Sequence, residues 1–229
     1  MIHLGIIPDG NRRWCKERNI DLNELPNVWK DFLLKLIKEF EKLDLQNYQE
    51  FKKINEISIY LASIDNINRR DNIKEILHNI IKKVINIINY PEEFIEEETI
   101  QIWSNYTKDI GLNVIGDMKL LTIDIQLMIQ KLKKWFNGKK YIINLALAYD
   151  YYKDIINEKD KDNEYYNRNQ SNIDLILRTG REQRLSGFFP TKTIYSELFF
   201  HKKLFLDITI DDIHNILKEY NTRERRYGK

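Results

Sequence analysis

The chain is poor in three things, and each absence excludes something. Its 229 residues include one cysteine, Cys15. A lone thiol cannot close an internal disulfide, so the fold is held without one, and the composition suits a reducing compartment. Net charge is nearly absent: 37 Lys and Arg face 35 Asp and Glu, leaving a formal +2. That balance argues against a general nucleic-acid binder while allowing local basic patches. Long apolar runs are also missing. The longest, such as Ile142 to Tyr149 with Asn144 inside it, fall far short of the ~20 residues of a membrane-crossing helix. The first strand-like run begins at His3, so no targeting leader is expected and the expected location is the cytoplasm.

What is present is an alternation of short apolar runs and amphipathic stretches. His3–Pro8, Ile57–Ala62, Leu112–Ile115, Tyr141–Tyr149 and Ile173–Leu177 read as strands, and Thr193–Phe200 is strand-like. Tyr141–Tyr149 is mostly apolar, as expected of a strand buried on both faces of a parallel sheet. Helices are expected from near Pro26, a favourable first-turn residue, and over Met118–Phe136, closed by Asn137-Gly138. Ile208–Tyr220 reads as the last helix, and 91–110 as helix with a loop. Between Ile73 and Ile88, apolar residues recur every three or four positions, the stripe of a core-facing helix. The expectation is a single α/β domain over 1–229, with a mostly parallel central sheet of about six strands flanked by helices. The polar stretch 157–172 reads as a surface loop.

Two strand ends carry chemistry. After Ile173–Leu177 comes Arg178-Thr179-Gly180-Arg181-Glu182-Gln183-Arg184-Leu185-Ser186-Gly187, with three arginines and a serine within nine residues. Guanidinium forks match phosphate oxygens two at a time, and glycine lets a backbone approach a ligand closely. The plainer alternative is a solvated loop with local ion pairs, Glu182 to an arginine. After His3–Pro8 comes Asp9-Gly10-Asn11-Arg12-Arg13-Trp14. This is a second cationic turn that opens on a carboxylate, and Mg²⁺ is commonly held by one or two carboxylates plus substrate phosphates.

Together these stretches resemble the cis-prenyltransferases, the undecaprenyl and dehydrodolichyl diphosphate synthase family. Tyr195-Ser196-Glu197-Leu198-Phe199-Phe200 and Arg223-Glu224-Arg225-Arg226-Tyr227-Gly228 resemble its late motifs, so the likeness spans nearly the whole chain. The resemblance implies an enzyme that adds isopentenyl diphosphate to an allylic diphosphate, such as farnesyl diphosphate, giving a Z-polyprenyl diphosphate. It implies Mg²⁺, held by Asp9 and Glu197. It implies that Gly10, Asn11, Arg12 and Arg13 cradle the allylic diphosphate with Trp14 bordering them. Arg178, Arg184 and Ser186 would bind isopentenyl diphosphate, with Ser63 and Arg69 nearby. Asn66 would assist proton removal, and Arg226 and Gly228 would reach the site from the tail. Simpler roles exist: Asn66 as a helix cap, Glu197 as an ion-pair partner of an arginine.

The Ile73–Ile88 stripe would then double as one wall of an apolar tunnel for the growing chain, and Leu61 would shorten that tunnel. A homodimer is implied, as is contact with a membrane surface, since long isoprenoid products pass into lipid. Two family elements are absent. Pro26–Trp29 stands near the usual Gly-His pair, and Asp150-Tyr151-Tyr152 replaces a Gly-Gly-Arg. The alternatives are a partner-dependent or non-catalytic subunit, or a protein that binds isoprenoid diphosphates without turnover.

Overall fold

A computed structural model describes residues 1–41, 48–69, 72–157 and 170–226. Most of the polar stretch 157–172 lies outside these residues, as does Gly228.

The strands are β1 (Ile2–Ile7), β2 (Ile54–Ser63), β3 (Ile110–Ile115), β4 (Tyr141–Tyr149), β5 (Leu175–Arg178) and β6 (Glu197–Phe200). They form one six-stranded sheet in the order β3-β4-β2-β1-β5-β6, and every neighbouring pair is parallel. The helices are α1 (Asn11–Glu17), α2 (Leu25–Glu41), α3 (Ile64–Ile67), α4 (Ile73–Asn89), α5 (Glu97–Thr107), α6 (Ile123–Trp135), α7 (Tyr151–Asn157) and α8 (Ile210–Thr222). The expected α/β fold and parallel sheet are what the structure contains.

The expected strand over Thr193–Phe200 shortens to Glu197–Phe200. β6 is an edge strand whose one partner, β5, offers four residues, and Leu175–Arg178 pair with Glu197–Phe200. The residues before it turn instead, with the Ser196 N–H on the Thr193 carbonyl. The helix expected from Met118 begins at Ile123, after a 3-10 turn at Met118–Leu120 and an extended Leu121.

The core divides between the two sheet faces. On one, Leu4, Leu175, Leu177 and Phe199 meet Ile216, Leu217 and Tyr220 of α8. On the other, Ile7, Ala146, Tyr149 and Ile176 meet Phe188 and Phe189. Between α4, α6 and the sheet lies the largest apolar cluster, centred on the fully buried Ile125.

A buried polar knot crosses the amino-terminal half of the sheet. His3 Nδ1 lies 3.1 Å from the Ser171 carbonyl, and Nε2 lies 2.8 Å from Ser58 Oγ. A carbonyl only accepts, so Nδ1 carries the proton and Nε2 accepts from the serine hydroxyl. Burial lowers the His3 pKa against the attraction of Glu56. Glu56 accepts from Asn144 at 2.7 Å and Ser171 at 2.5 Å, so these buried groups are paired, as interiors demand.

Two registers position the site. Ile6 pairs with Ile59, and Ile7 pairs with Arg178. The carboxyl ends of β1, β2 and β5 therefore share one edge. From β1 the chain crosses to β2 on one side; from β5 it crosses to β6 on the other. The β1–β5 boundary is thus a topological switch point, where open α/β sheets leave a crevice for ligands.

Candidate active site

The crevice is real. A cavity of about 670 Å³ opens there. Its polar mouth is lined by Asp9, Asn11, Arg12, Ser63, Asp65, Asn66, Arg69, Arg178, Arg184 and Ser186. Behind them stands an apolar sleeve: Leu61 from β2, Leu25 and Trp29 from α2, and Ile73, Ile76, Leu77, Ile80 and Ile81 from α4. The α4 stripe therefore serves both core and cavity. Its first turns face the cavity, while Val84, Ile85 and Ile88 pack into the cluster around Ile125.

Asp9 and Arg178 form the centre. Arg178 Nη2 donates to Asp9 Oδ2 at 2.7 Å, and Nη1 donates to Ser186 Oγ at 2.9 Å and to the Arg184 carbonyl. The Arg178 side chain is 4% exposed and that of Asp9 31%. One buried guanidinium thus ties the carboxylate of the first loop to the serine of the second. Asp9 Oδ1 also accepts from the Gly10 N–H at 2.6 Å and from Arg13 at 3.4 Å. The two loops touch backbone to backbone. Thr179 Oγ1 donates to the Asp9 carbonyl at 2.8 Å. At Gly180 (φ +84°) a Cβ would fall 2.9 Å from the Asp9 backbone, so a larger residue would push the loops apart.

Ser63 and Asn66 cap α3 reciprocally. Ser63 Oγ accepts from the Asn66 N–H at 3.1 Å, and Asn66 Oδ1 accepts from the Ser63 N–H at 3.0 Å. This is a capping box. The capping role and a place in the cavity wall coexist in the same two residues.

Several predicted site residues stand elsewhere. Gly10 turns its N–H onto Asp9 and does not line the cavity. Arg13 supports from outside, reaching Asp9 and, at 3.6 Å, Glu182. Glu182 also pairs with Arg184 at 2.5 Å, so the local ion pair anticipated for this loop is present. Trp14 does not border the cavity: its indole N–H donates to Asp207 at 2.8 Å, and Arg18 lies over its ring.

Glu197 is the largest departure. It opens β6 level with Leu175, while Asp9 lies beyond Ile7, which is level with Arg178. The two carboxylates therefore belong to opposite edges of the sheet, and Glu197 pairs with Arg223 at 2.8 Å. A joint Asp9–Glu197 metal site is not formed within one chain. Arg226 is likewise remote: it pairs with Glu224, and the preceding Arg225 is anchored at 2.7 Å to Asp174, just before β5. Parallel strands put these groups at the amino ends, a placement that motif spacing does not encode.

Residues 7–228 match the undecaprenyl diphosphate synthase family of prenyltransferases. The chain belongs to that family. It is an enzyme of the cis-prenyltransferase kind. An isoprenyl transferase from Rickettsia typhi is 27% identical over 242 residues, covering 99% of this chain and 97% of the relative. A tritrans,polycis-undecaprenyl-diphosphate synthase (geranylgeranyl-diphosphate specific) from Picrophilus torridus is 30% identical, covering 99% and 89%. Among solved structures, lavandulyl diphosphate synthase from Lavandula x intermedia, in complex with dimethylallyl diphosphate, superimposes with a TM-score of 0.76. It shares 23% identity and covers 99% of this chain and 98% of that one, a likeness of fold.

The cis-prenyltransferase cavity also has walls to which the motifs assigned no role. Tyr60, Tyr149, Asp150 and Tyr151 line it. Burial pushes the Tyr60 phenol up to about 12, so it stays protonated at neutral pH. Alternation along β2 puts Ser58 and Tyr60 on one face; which face meets the site was decided by the packing of Phe188 against it.

Proposed function

We propose that this enzyme condenses isopentenyl diphosphate with an allylic diphosphate at the β1–β5 crevice, giving a Z-prenyl diphosphate. The observation that carries the reading is one cavity with two chemically distinct halves. Four arginines, Arg12, Arg69, Arg178 and Arg184, stand at its mouth, and an aliphatic sleeve stands behind. Diphosphate heads suit the first half and an isoprenoid tail the second. Arg12 with Asn11 serves the allylic diphosphate; Arg178, Arg184, Ser186 and Arg69 serve the donor. Asn66 would assist proton removal by holding substrate: its Oδ1 accepts from the Ser63 N–H and hydroxyl, which leaves its NH2 group, a donor, for a diphosphate oxygen at the cavity wall.

Asp9 is the metal carboxylate of this reading. MgII of the usual kind takes one or two carboxylates plus substrate oxygens rather than a protein cage. That fits a single, one-third-exposed carboxylate lining the cavity together with Asn11, whose Oδ1 is buried and without a partner among the described residues. When bound, Mg²⁺ would neutralise charge developing on the leaving diphosphate. Glu197 and Arg226 could serve this chemistry only from a second copy of the chain. A homodimer through the β6 edge is part of the reading, supported by the exposed Ile194, Tyr195 and Leu198 there. No described helix is long and apolar enough to cross a membrane; delivery of product to lipid would proceed by surface contact.

The test is incubation of purified protein with labelled isopentenyl diphosphate, farnesyl diphosphate and Mg²⁺, with products resolved by length. Extended Z-prenyl diphosphates that disappear with chelator are expected. Tight diphosphate binding with no extension from any primer would favour the sequestering protein or the partner-dependent subunit instead.

A further inference from the structure

The loop that carries Ser186 is strained. Ser186 has φ +52° and Gly187 φ +79°, and a left-handed serine persists only where its surroundings over-determine it. Three contacts do so. From below, Arg178 holds Ser186 Oγ at 2.9 Å and the Arg184 carbonyl. From β2, the Tyr60 hydroxyl donates to the Ser186 carbonyl at 3.3 Å. From α7, the Tyr151 ring packs on Gly187 so closely that a Cβ there would meet it at 2.8 Å.

Tyr60 is itself well fixed. It stacks on Phe188 at 5.3 Å and meets Tyr149 edge-on at 5.8 Å, and both of those rings are fully buried. Tyr151 lies on the open side, 52% exposed. Both tyrosines line the same cavity as Ser63, Arg184 and Ser186.

We propose that Tyr60 and Tyr151 are positioning residues for the donor diphosphate, clamping the strained Ser186–Gly187 turn so that the Ser186 hydroxyl and Arg184 face the cavity together. The proposal rests on the reading of Arg178, Arg184 and Ser186 as the isopentenyl diphosphate subsite. Tyr151 stands where the family's Gly-Gly-Arg is replaced, so this half of the clamp belongs to the departure from the pattern. The hydroxyl matters at Tyr60 and the ring matters at Tyr151.

The experiment compares Tyr60→Phe, Tyr151→Ala and Tyr151→Phe. KM for each substrate and kcat are measured, together with calorimetric binding of isopentenyl diphosphate alone. Losing one neutral hydrogen bond or packing contact that orients the loop corresponds to about a fivefold change. Tyr60→Phe and Tyr151→Ala are each expected to raise the isopentenyl diphosphate KM and Kd about that much, leaving the allylic KM and kcat within twofold. Tyr151→Phe should match the unmodified enzyme. The proposal is overturned if both KM values move together, if neither moves, or if Tyr151→Phe is as impaired as Tyr151→Ala. Absence of prenyl transfer in the unmodified protein would count against the underlying reading, and the calorimetric comparison would still test the clamp.

Discussion

Replacing Asp9 by asparagine separates the job this carboxylate is seen to hold, as the partner of Arg178, from the metal-binding job proposed for it. The structural job is to neutralise Arg178, whose side chain is 4% exposed and sits 2.7 Å away. Breaking a fully buried ion pair by removing one partner costs about 3–5 kcal/mol. Asp9 is 31% exposed, and asparagine keeps an acceptor oxygen, so water and the amide offset much of that loss; about 1–2 kcal/mol is expected. For a chain of this size each kcal/mol lowers Tm by about 2–4 °C, which places the shift at roughly 2–8 °C. The proposed chemical job would have the larger effect. Removing one group that stabilises charge developing at a reacting centre costs about 10²–10³ in kcat. Thermal denaturation by circular dichroism and turnover with labelled isopentenyl diphosphate read the two jobs independently. A variant with the expected Tm shift but kcat within tenfold of the original would show that Asp9 is only the counter-ion of Arg178, and the metal assignment would fall.

Three further outcomes are expected. Leu61 is part of the aliphatic sleeve, so Leu61→Ala should move the product distribution to longer chains by at least one isoprene unit; chromatography showing unchanged lengths would remove Leu61 as a length determinant. Mixing Asp9→Asn with Arg226→Ala protein under subunit exchange should restore about a quarter of normal activity if the tail serves a second copy, because half the dimers are mixed and each has one intact site. No restoration would place the tail's role, if any, within its own chain. Burial lowers the His3 pKa, so the unfolded chain takes up this proton first as pH falls. The contribution of His3 to stability is therefore complete above about 6.5 and lost progressively below it; urea midpoints measured from pH 7.5 to 5 should fall less in His3→Gln, and an identical fall in both would refute the neutral assignment.

Much of the cavity lining was legible because it is local. A strand followed by Asp9-Gly10-Asn11-Arg12 or by Arg178-Thr179-Gly180 announces a glycine turn and a cation at a strand end, and the α4 stripe announces its apolar face by period alone. Glu197 and Arg226 were misplaced as parts of this cavity because motif order along the chain carries no information about which edge of the sheet a residue reaches. Glu197 begins its strand whereas Arg178 ends one, and in a parallel sheet those are opposite edges. Trp14 was misplaced for a related reason: a helical residue next to the motif turned its indole to Asp207, far along the sequence, rather than to the crevice.

The sequence by itself determined the element types, the cationic character of two loops and the family. The tertiary structure decided the partners. Asp9 and Arg178 are 169 positions apart, and they meet because β1 and β5 are neighbours in register. Tyr60 gained its place over Ser186 because β2 flanks β1 and Phe188 fills the face beneath its ring. Local propensity and motif chemistry act over a few residues and can be read in one dimension. Register, strand order and the edge of a parallel sheet are fixed only when distant apolar faces are buried together, and that packing chose which charged groups share the cavity.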